Sequence, residues 1–203
     1  MINRRDFNTK TALTLAATLA PIIPTLANGA EIDEDGLHIQ DWFLQSFMEV
    51  AEDQSALNEE NKHLAILFEQ RGCPYCRELH EVNLAKPEIV NYIKKHFGVL
   101  QINLWGSKSV TNLDGKEMQE KEFARELKVN FPPTMVFLRQ GDLTGVPILL
   151  AEAARMPGYL KPFHFITMFE FVAEKHYKEK AFQQFLQEKI ARYQAEGKKL
   201  DLL

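Results

Sequence analysis

Cysteine and tryptophan are scarce in this chain, with two of each in 203 residues. A disulfide between the two cysteines would close so short a loop that it removes little unfolded-state entropy, so they are a weak staple. Basic charge is not in excess either. The 24 Lys and Arg are interspersed with 28 Asp and Glu, for a formal charge of −4, which leaves no electrostatic footprint for nucleic acid. The mild apolar run from Thr11 to Ala20 is too short and too weak to cross a bilayer as a helix. What remains is 45% apolar, enough for one domain with a real core and a helical extension, rather than two domains.

Both cysteines fall in one stretch, Ala65 to His80, which contains Cys73-Pro74-Tyr75-Cys76. The apolar run Leu64 to Phe68 is short and is soon followed by Gly72, as suits a strand covered on both faces. Pro74 stands where a first helical residue belongs, because its missing N–H costs nothing there. Leu79, Val82 and Leu84 follow at spacings that line one helical face. Cys73 is therefore placed at a helix N-terminus, where unpaired N–H groups and the helix dipole favour a thiolate over a thiol. On this reading Cys73 is a nucleophile, and Cys76, one turn deeper, attacks the mixed disulfide on Cys73 and closes the internal disulfide. A static disulfide or two free thiols is the alternative.

The first residues have a different character. Arg4, Arg5 and Lys10 precede the Ala/Leu/Thr run, then come Pro21, Pro24 and small residues, the pattern of an export signal. Arg4-Arg5-Asp6-Phe7 resembles a twin-arginine motif, although Asn3 and Asn8-Thr9-Lys10 depart from it, and the Sec route is the alternative. Thr25-Leu26-Ala27 offers a cleavage site, with Asn28-Gly29-Ala30 as the alternative. The expected organisation is a signal over 1–27, a flexible leader over 28–40, a domain over 41–175 and a C-terminal helical extension over 176–203, in an exported, periplasmic protein.

Along the chain, Trp42, Phe43, Phe47, Met48 and Val50 recur at helical spacing and predict a helix from Asp41 to about residue 57. A strand over 63–69, the Cys helix, a second helix after Pro87 and a strand over 99–104 follow. Residues 105–116 are polar and end in Asp114-Gly115, which predicts a long surface loop. Glu117 to Val129 predicts an amphipathic helix, and Met135 to Leu138 a third strand. Gln140-Gly141-Asp142 turns the chain, and Val146 to Leu150 is expected to return as an antiparallel strand with Pro147 at an edge. Helices are expected after Pro162 and from His176 to about 196.

That order is the order of an α/β thioredoxin fold, a central mixed sheet flanked by helices. Over about residues 41–175 the chain resembles thioredoxin-like proteins, and within them SoxW-type periplasmic thioredoxins associated with sulfur-compound oxidation. The finer likeness rests on Phe68-Glu69-Gln70, Cys73-Pro74-Tyr75-Cys76, Pro133-Thr134 and Gly158 to Phe163. The resemblance implies a thiol–disulfide oxidoreductase with no cofactor beyond the Cys73–Cys76 couple. It implies partners among protein thiols and disulfides, a membrane electron donor of the CcdA or DsbD type, and a monomer. It also implies that Pro133 is a cis-proline facing the cysteines, and that Pro74, Tyr75, Pro132, Pro133 and Thr134 form the substrate groove.

Two departures from the family pattern matter. The residue before the cis-proline is Pro132, which can accept but not donate a backbone hydrogen bond to an extended substrate. Leu67 stands where thioredoxins usually bury an aspartate. Strand alternation puts Glu69 on the same face as Leu67, so Glu69 is a candidate proton acceptor for Cys76. The Pro-Tyr dipeptide between the cysteines matches glutaredoxins. Two other functions remain open at this point, a DsbA-like thiol oxidase and a metal module using Cys73, Cys76 and His80 with His63 or Glu69. Haem attachment is excluded because Arg77, not histidine, follows Cys76.

Overall fold

The structure, a computed structural model, describes residues 31–198. The expected export signal and its arginine motif lie outside the described residues.

Strand β1, His63–Glu69, is buried along its whole length and forms the spine of the fold. It pairs in parallel with β2, Phe97–Asn103, and antiparallel with β5, Thr134–Leu138, which in turn pairs antiparallel with β6, Glu152–Pro157. The order β2-β1-β5-β6 is thus a mixed sheet. Because successive side chains point to opposite faces, β1 serves two cores. Leu64, Ile66 and Phe68 pack with α1, Val50–Glu59, and α4, Glu120–Glu126. Ala65 and Leu67 pack on the other face with Leu79, with α3, Pro87–His96, and with α6, Pro162–Ala173. Helices on both faces of a mixed sheet make this the thioredoxin fold.

The Cys helix α2, Pro74–Glu78, runs directly into a π-helical turn, Leu79–Asn83. There the Leu84 N–H donates to the Leu79 carbonyl, five residues back, and the extra residue shifts the helical phase. Leu79 and Leu84 are therefore buried while Val82 is exposed, so the three do not share the single face that ordinary helical spacing predicts.

Several expected boundaries are corrected. Residues 41–49 are not helical, and α1 begins at Val50. The Leu44 N–H instead pairs with the Val99 carbonyl, Ser46 Oγ accepts the Met48 N–H and donates to Asp53, and Met48 takes a positive φ of 65°. The aromatic period there is not a core face, since Phe43 is buried and Phe47 is 96% exposed. Residues 31–40, expected as a flexible leader, form a strap held by long-range contacts. Leu37 is buried, Arg71 donates to the carbonyls of Glu34 and Asp35, and Gln101 donates to the carbonyl of His38.

The expected loop over 105–116 contains β3, Ser109–Thr111, which pairs with β4, Glu117–Gln119, so the helix expected from Glu117 starts at Glu120. The antiparallel strand expected over 146–150 is displaced. Pro147 caps a short helix, α5, Ile148–Ala151, and β6 follows it. A proline with φ of −53° and no N–H starts a helix more readily than it joins a ladder. At the C-terminal end, α7, Phe182–Ala195, packs on α6 through Phe182, Phe185 and buried Lys189, whose Nζ donates to Thr167 and Glu170.

Candidate active site

The chain leaves β1 through Gln70, Arg71 and Gly72. Gly72 has φ of 70°, a left-handed conformation that glycine adopts without a Cβ penalty. Cys73 then has an extended backbone and is the N-cap of α2, its Sγ accepting the Cys76 N–H at 3.1 Å. Pro74 occupies the first helical turn. Cys73 and Cys76 are joined as a disulfide with Cα atoms 5.2 Å apart. Cys73 is 6% exposed and Cys76 1%, so the outer sulfur is the one a partner reaches first. The neighbouring Tyr75 is 58% exposed and lies nearly parallel to Tyr159, with centroids 6.4 Å apart. Tyr159 in turn bonds Asn83 in the π turn, and Asn83 donates to the Leu160 carbonyl.

The Pro132–Pro133 peptide is cis. Thr134 pairs with Phe68, so Pro133 sits one residue further on, level with Glu69. Pro133 and Leu79 line one small cavity of about 10 Å³, which brings the proline against the helix that carries the cysteines. Thr134 is buried and its Oγ1 donates to the Phe131 carbonyl, while the Pro133 carbonyl accepts the Gly158 N–H. Phe131 and Trp105 are exposed, and the Trp105 indole donates to Gln70 just before the Cys loop. A larger cleft of about 500 Å³ between the strap and β2 contains neither cysteine.

Glu69 is fully buried. Its Oε2 lies 3.1 Å from His80 Nε2 and 2.5 Å from Gln101 Nε2, and its Oε1 has no partner among the described residues. His80 is 2% exposed, and its Nδ1 lies 3.1 Å from Gln40. The proposed metal set is not brought together. The sulfurs are bonded to each other, both His80 nitrogens face Gln40 and Glu69, and His63 lies at the opposite end of β1 against the Leu138 carbonyl. Gln40 and Gln101 were absent from the sequence-derived site, and His80 stood in it only as a metal ligand. The i,i+4 spacing of Cys76 and His80 was the one local signal for His80.

The model of the Thioredoxin-like domain family matches residues 50–173. The chain belongs to the thioredoxin-like family. With its Cys-X-X-Cys disulfide at the start of α2, this thioredoxin-like protein is a thiol–disulfide oxidoreductase. It is similar to a thioredoxin-fold protein from Helicobacter pylori at 24% identity and TM-score 0.50, covering 72% of this chain and 93% of that one. It is also similar to a thioredoxin from Thermus thermophilus, with 20% identity, TM-score 0.48, and 61% and 83% covered. A third likeness is to the oxidised C-terminal domain of DsbD from Neisseria meningitidis, with 21% identity, TM-score 0.42, and 61% and 91% covered. No curated protein matches. The Helicobacter likeness bears on the fold of this thioredoxin-like protein.

Proposed function

We propose that the protein is an exported reductase of protein disulfides, of the SoxW-like kind linked to sulfur-compound oxidation. In this reading it is a monomer fed by a membrane electron donor of the CcdA or DsbD type. The observation that carries the dithiol chemistry is the position of Cys73, which caps α2 with its sulfur and is the outer member of the pair. The resemblance at Cys73 to Cys76 and at Gly158 to Phe163 supports the reductase direction, and the arginines of the N-terminal segment support export.

In the reduced protein the Cys73 thiolate attacks one sulfur of a substrate disulfide, and the other substrate sulfur leaves with the electron pair. Cys76 then transfers its proton to Glu69 and attacks Cys73 Sγ. The bond between Cys73 and the substrate breaks, the second substrate sulfur leaves as a thiolate, and the Cys pair is oxidised by two electrons. Tyr75, Pro132, Pro133 and Thr134 line the substrate groove, where Pro132 offers a carbonyl but no N–H.

The direction is tested by equilibrating the Cys73/Cys76 couple in glutathione or dithiothreitol buffers. A potential near or below about −230 mV supports a reductase, whereas one near about −120 mV means a DsbA-like oxidant and overturns the proposal.

A further inference from the structure

Beneath the Cys helix the side chains of Gln40, His80, Glu69 and Gln101, from four separate segments, form one hydrogen-bonded chain that is buried at His80 and Glu69, and its donors and acceptors can be assigned from their partners. The Trp42 indole N–H donates to Gln40 Oε1 at 3.3 Å. That leaves the Gln40 amide N–H facing His80 Nδ1 at 3.1 Å, so Nδ1 accepts. The neutral imidazole then carries its proton on Nε2 and donates it to Glu69 Oε2 at 3.1 Å. On the other side, Gln101 Nε2 donates both to the His38 carbonyl at 2.6 Å and to the same Glu69 oxygen at 2.5 Å. The carboxylate is thus lopsided. Oε2 takes two donors, while Oε1 is buried with no partner among the described residues.

We propose that His80 is a positioning residue for thiol–disulfide exchange: fixed in its Nε2–H form by Gln40, it holds Glu69 so that Oε1 is the free acceptor for the Cys76 proton. This rests on the reading of Glu69 as proton acceptor. Cys76 and His80 are four residues apart across consecutive turns and share a helix face. Glu69 follows Leu67 on the face of β1 that packs against Leu79 of that helix. In the resolving step Cys76 Sγ–H gives its proton to Oε1 as the sulfur bonds to Cys73, and the electron pair of the broken mixed disulfide leaves on the substrate sulfur. The hydrogen bonds on Oε2 stay in place throughout.

Among the described residues few groups face the pair. From the strap comes His38, with its ring 5.5 Å from His80 and its Nδ1 without a partner among the described residues, beside Phe43 at 5.8 Å. From β2 comes Gln101, which is neutral. On the Cys helix itself Cys76 is the titratable neighbour, while Arg77 and Glu81 pair with each other at 3.9 Å on its exposed side.

Dithiobis-nitrobenzoate gives a direct test with the reduced chain, because its first thionitrobenzoate release reports attack by Cys73 and its second reports resolution by Cys76. With a hydrogen bond to the carboxylate removed, His80→Leu is expected to move the acid limb of the second phase to higher pH by about one unit or more. His80→Gln, which restores an amide donor, is expected to return the limb to its original position. Gln40→Leu leaves α2 untouched and is expected to move the limb in the same direction as His80→Leu. Folded Leu variants that slow the second phase by one factor at every pH, or not at all, overturn the proposal and leave His80 a structural residue. Glu69→Gln separates the two levels. If it slows the second phase by about 100-fold or more and abolishes the acid limb, Glu69 stands whatever His80 does; if rate and limb are unchanged, the Glu69 reading fails and the role of His80 fails with it.

Discussion

His63, at the start of β1, should make the fold acid-sensitive. Its side chain is 2% exposed, Nδ1 lies 3.3 Å from the Leu138 carbonyl, Nε2 has no partner among the described residues, and the ring stacks on Phe97. Burial, reinforced by the nearby charges of Lys175, His96 and Lys178, pushes its pKa down from 6.5 to about 4, against the smaller upward pull of the Leu138 carbonyl. Between those two values the unfolded chain binds a proton that the folded chain refuses, so the stability from this group is complete above pH 6.5 and is lost as pH falls toward 4. A gap of about two and a half units at about 1.4 kcal/mol each gives a full loss of about 3.5 kcal/mol, of which about 3 kcal/mol is reached by pH 4. His63→Gln keeps an amide to donate to Leu138 but does not titrate. Urea unfolding of both proteins should show the stability difference moving by about 3 kcal/mol in favour of the variant between neutral pH and pH 4. The lowered pKa of His96 acts in the same direction and the raised pKa of Asp53 in the opposite one; both contributions are common to the two proteins and largely cancel in the difference. A difference constant with pH would show that His63 is not held neutral by the fold.

Replacing Pro132 with threonine adds a backbone donor beside Pro133, and kcat/KM for an extended peptide disulfide should rise by about 2- to 10-fold, the value of one hydrogen bond; unchanged kinetics would remove Pro132 from the clamp. Cys76→Ser should accumulate a stable mixed disulfide between Cys73 and its partner, visible on a non-reducing gel, whereas Cys73→Ser should not, because the outer sulfur makes the first attack. Gly98→Ala should lower stability by about 1–3 kcal/mol in denaturant titration, since a Cβ there would meet the Leu57 methyls at 2.7 and 2.8 Å where α1 crosses β2; a neutral effect would mean that Leu57 moves aside freely.

The strand and the Cys helix were legible because their signals are local. A five-residue apolar run, a glycine, and a proline at the first helical position each constrain the backbone within a few residues of themselves. The same local logic misplaced the helix expected from Asp41. Trp42, Phe43 and Phe47 have helical spacing, yet the segment turns at Gln40–Phe43 and its Leu44 N–H is taken by the Val99 carbonyl, a partner 55 positions away in sequence, and no periodicity encodes such a partner. Val146 to Leu150 failed for a different reason, because a short apolar run does not distinguish strand from helix and Pro147 decided the matter. No local pattern predicts the burial of His80, because it depends on His38 and Gln40 of the strap and on Phe43 just after it.

What unites the site is the register of one strand. Leu67 and Glu69 belong to the face of β1 that carries the Cys helix, while Ile66 and Phe68 belong to the face under α1 and α4. Glu69 is also level with Asn103 on one neighbour and next to the Phe68–Thr134 pair on the other, which is why the acid and the cis-proline arrive at the same end of the sheet. A slip of one residue would turn the entire strand over. Glu69 would then point into the opposite core, an unpaired carboxylate on the side where Phe68 now packs against Phe123, while Phe68 would face the Cys helix. The hydrophobic cost of that slip, and the cost of a buried acid without His80 and Gln101, oppose it together. The packing that stabilises the fold therefore also holds Glu69 on the cysteine side of the sheet.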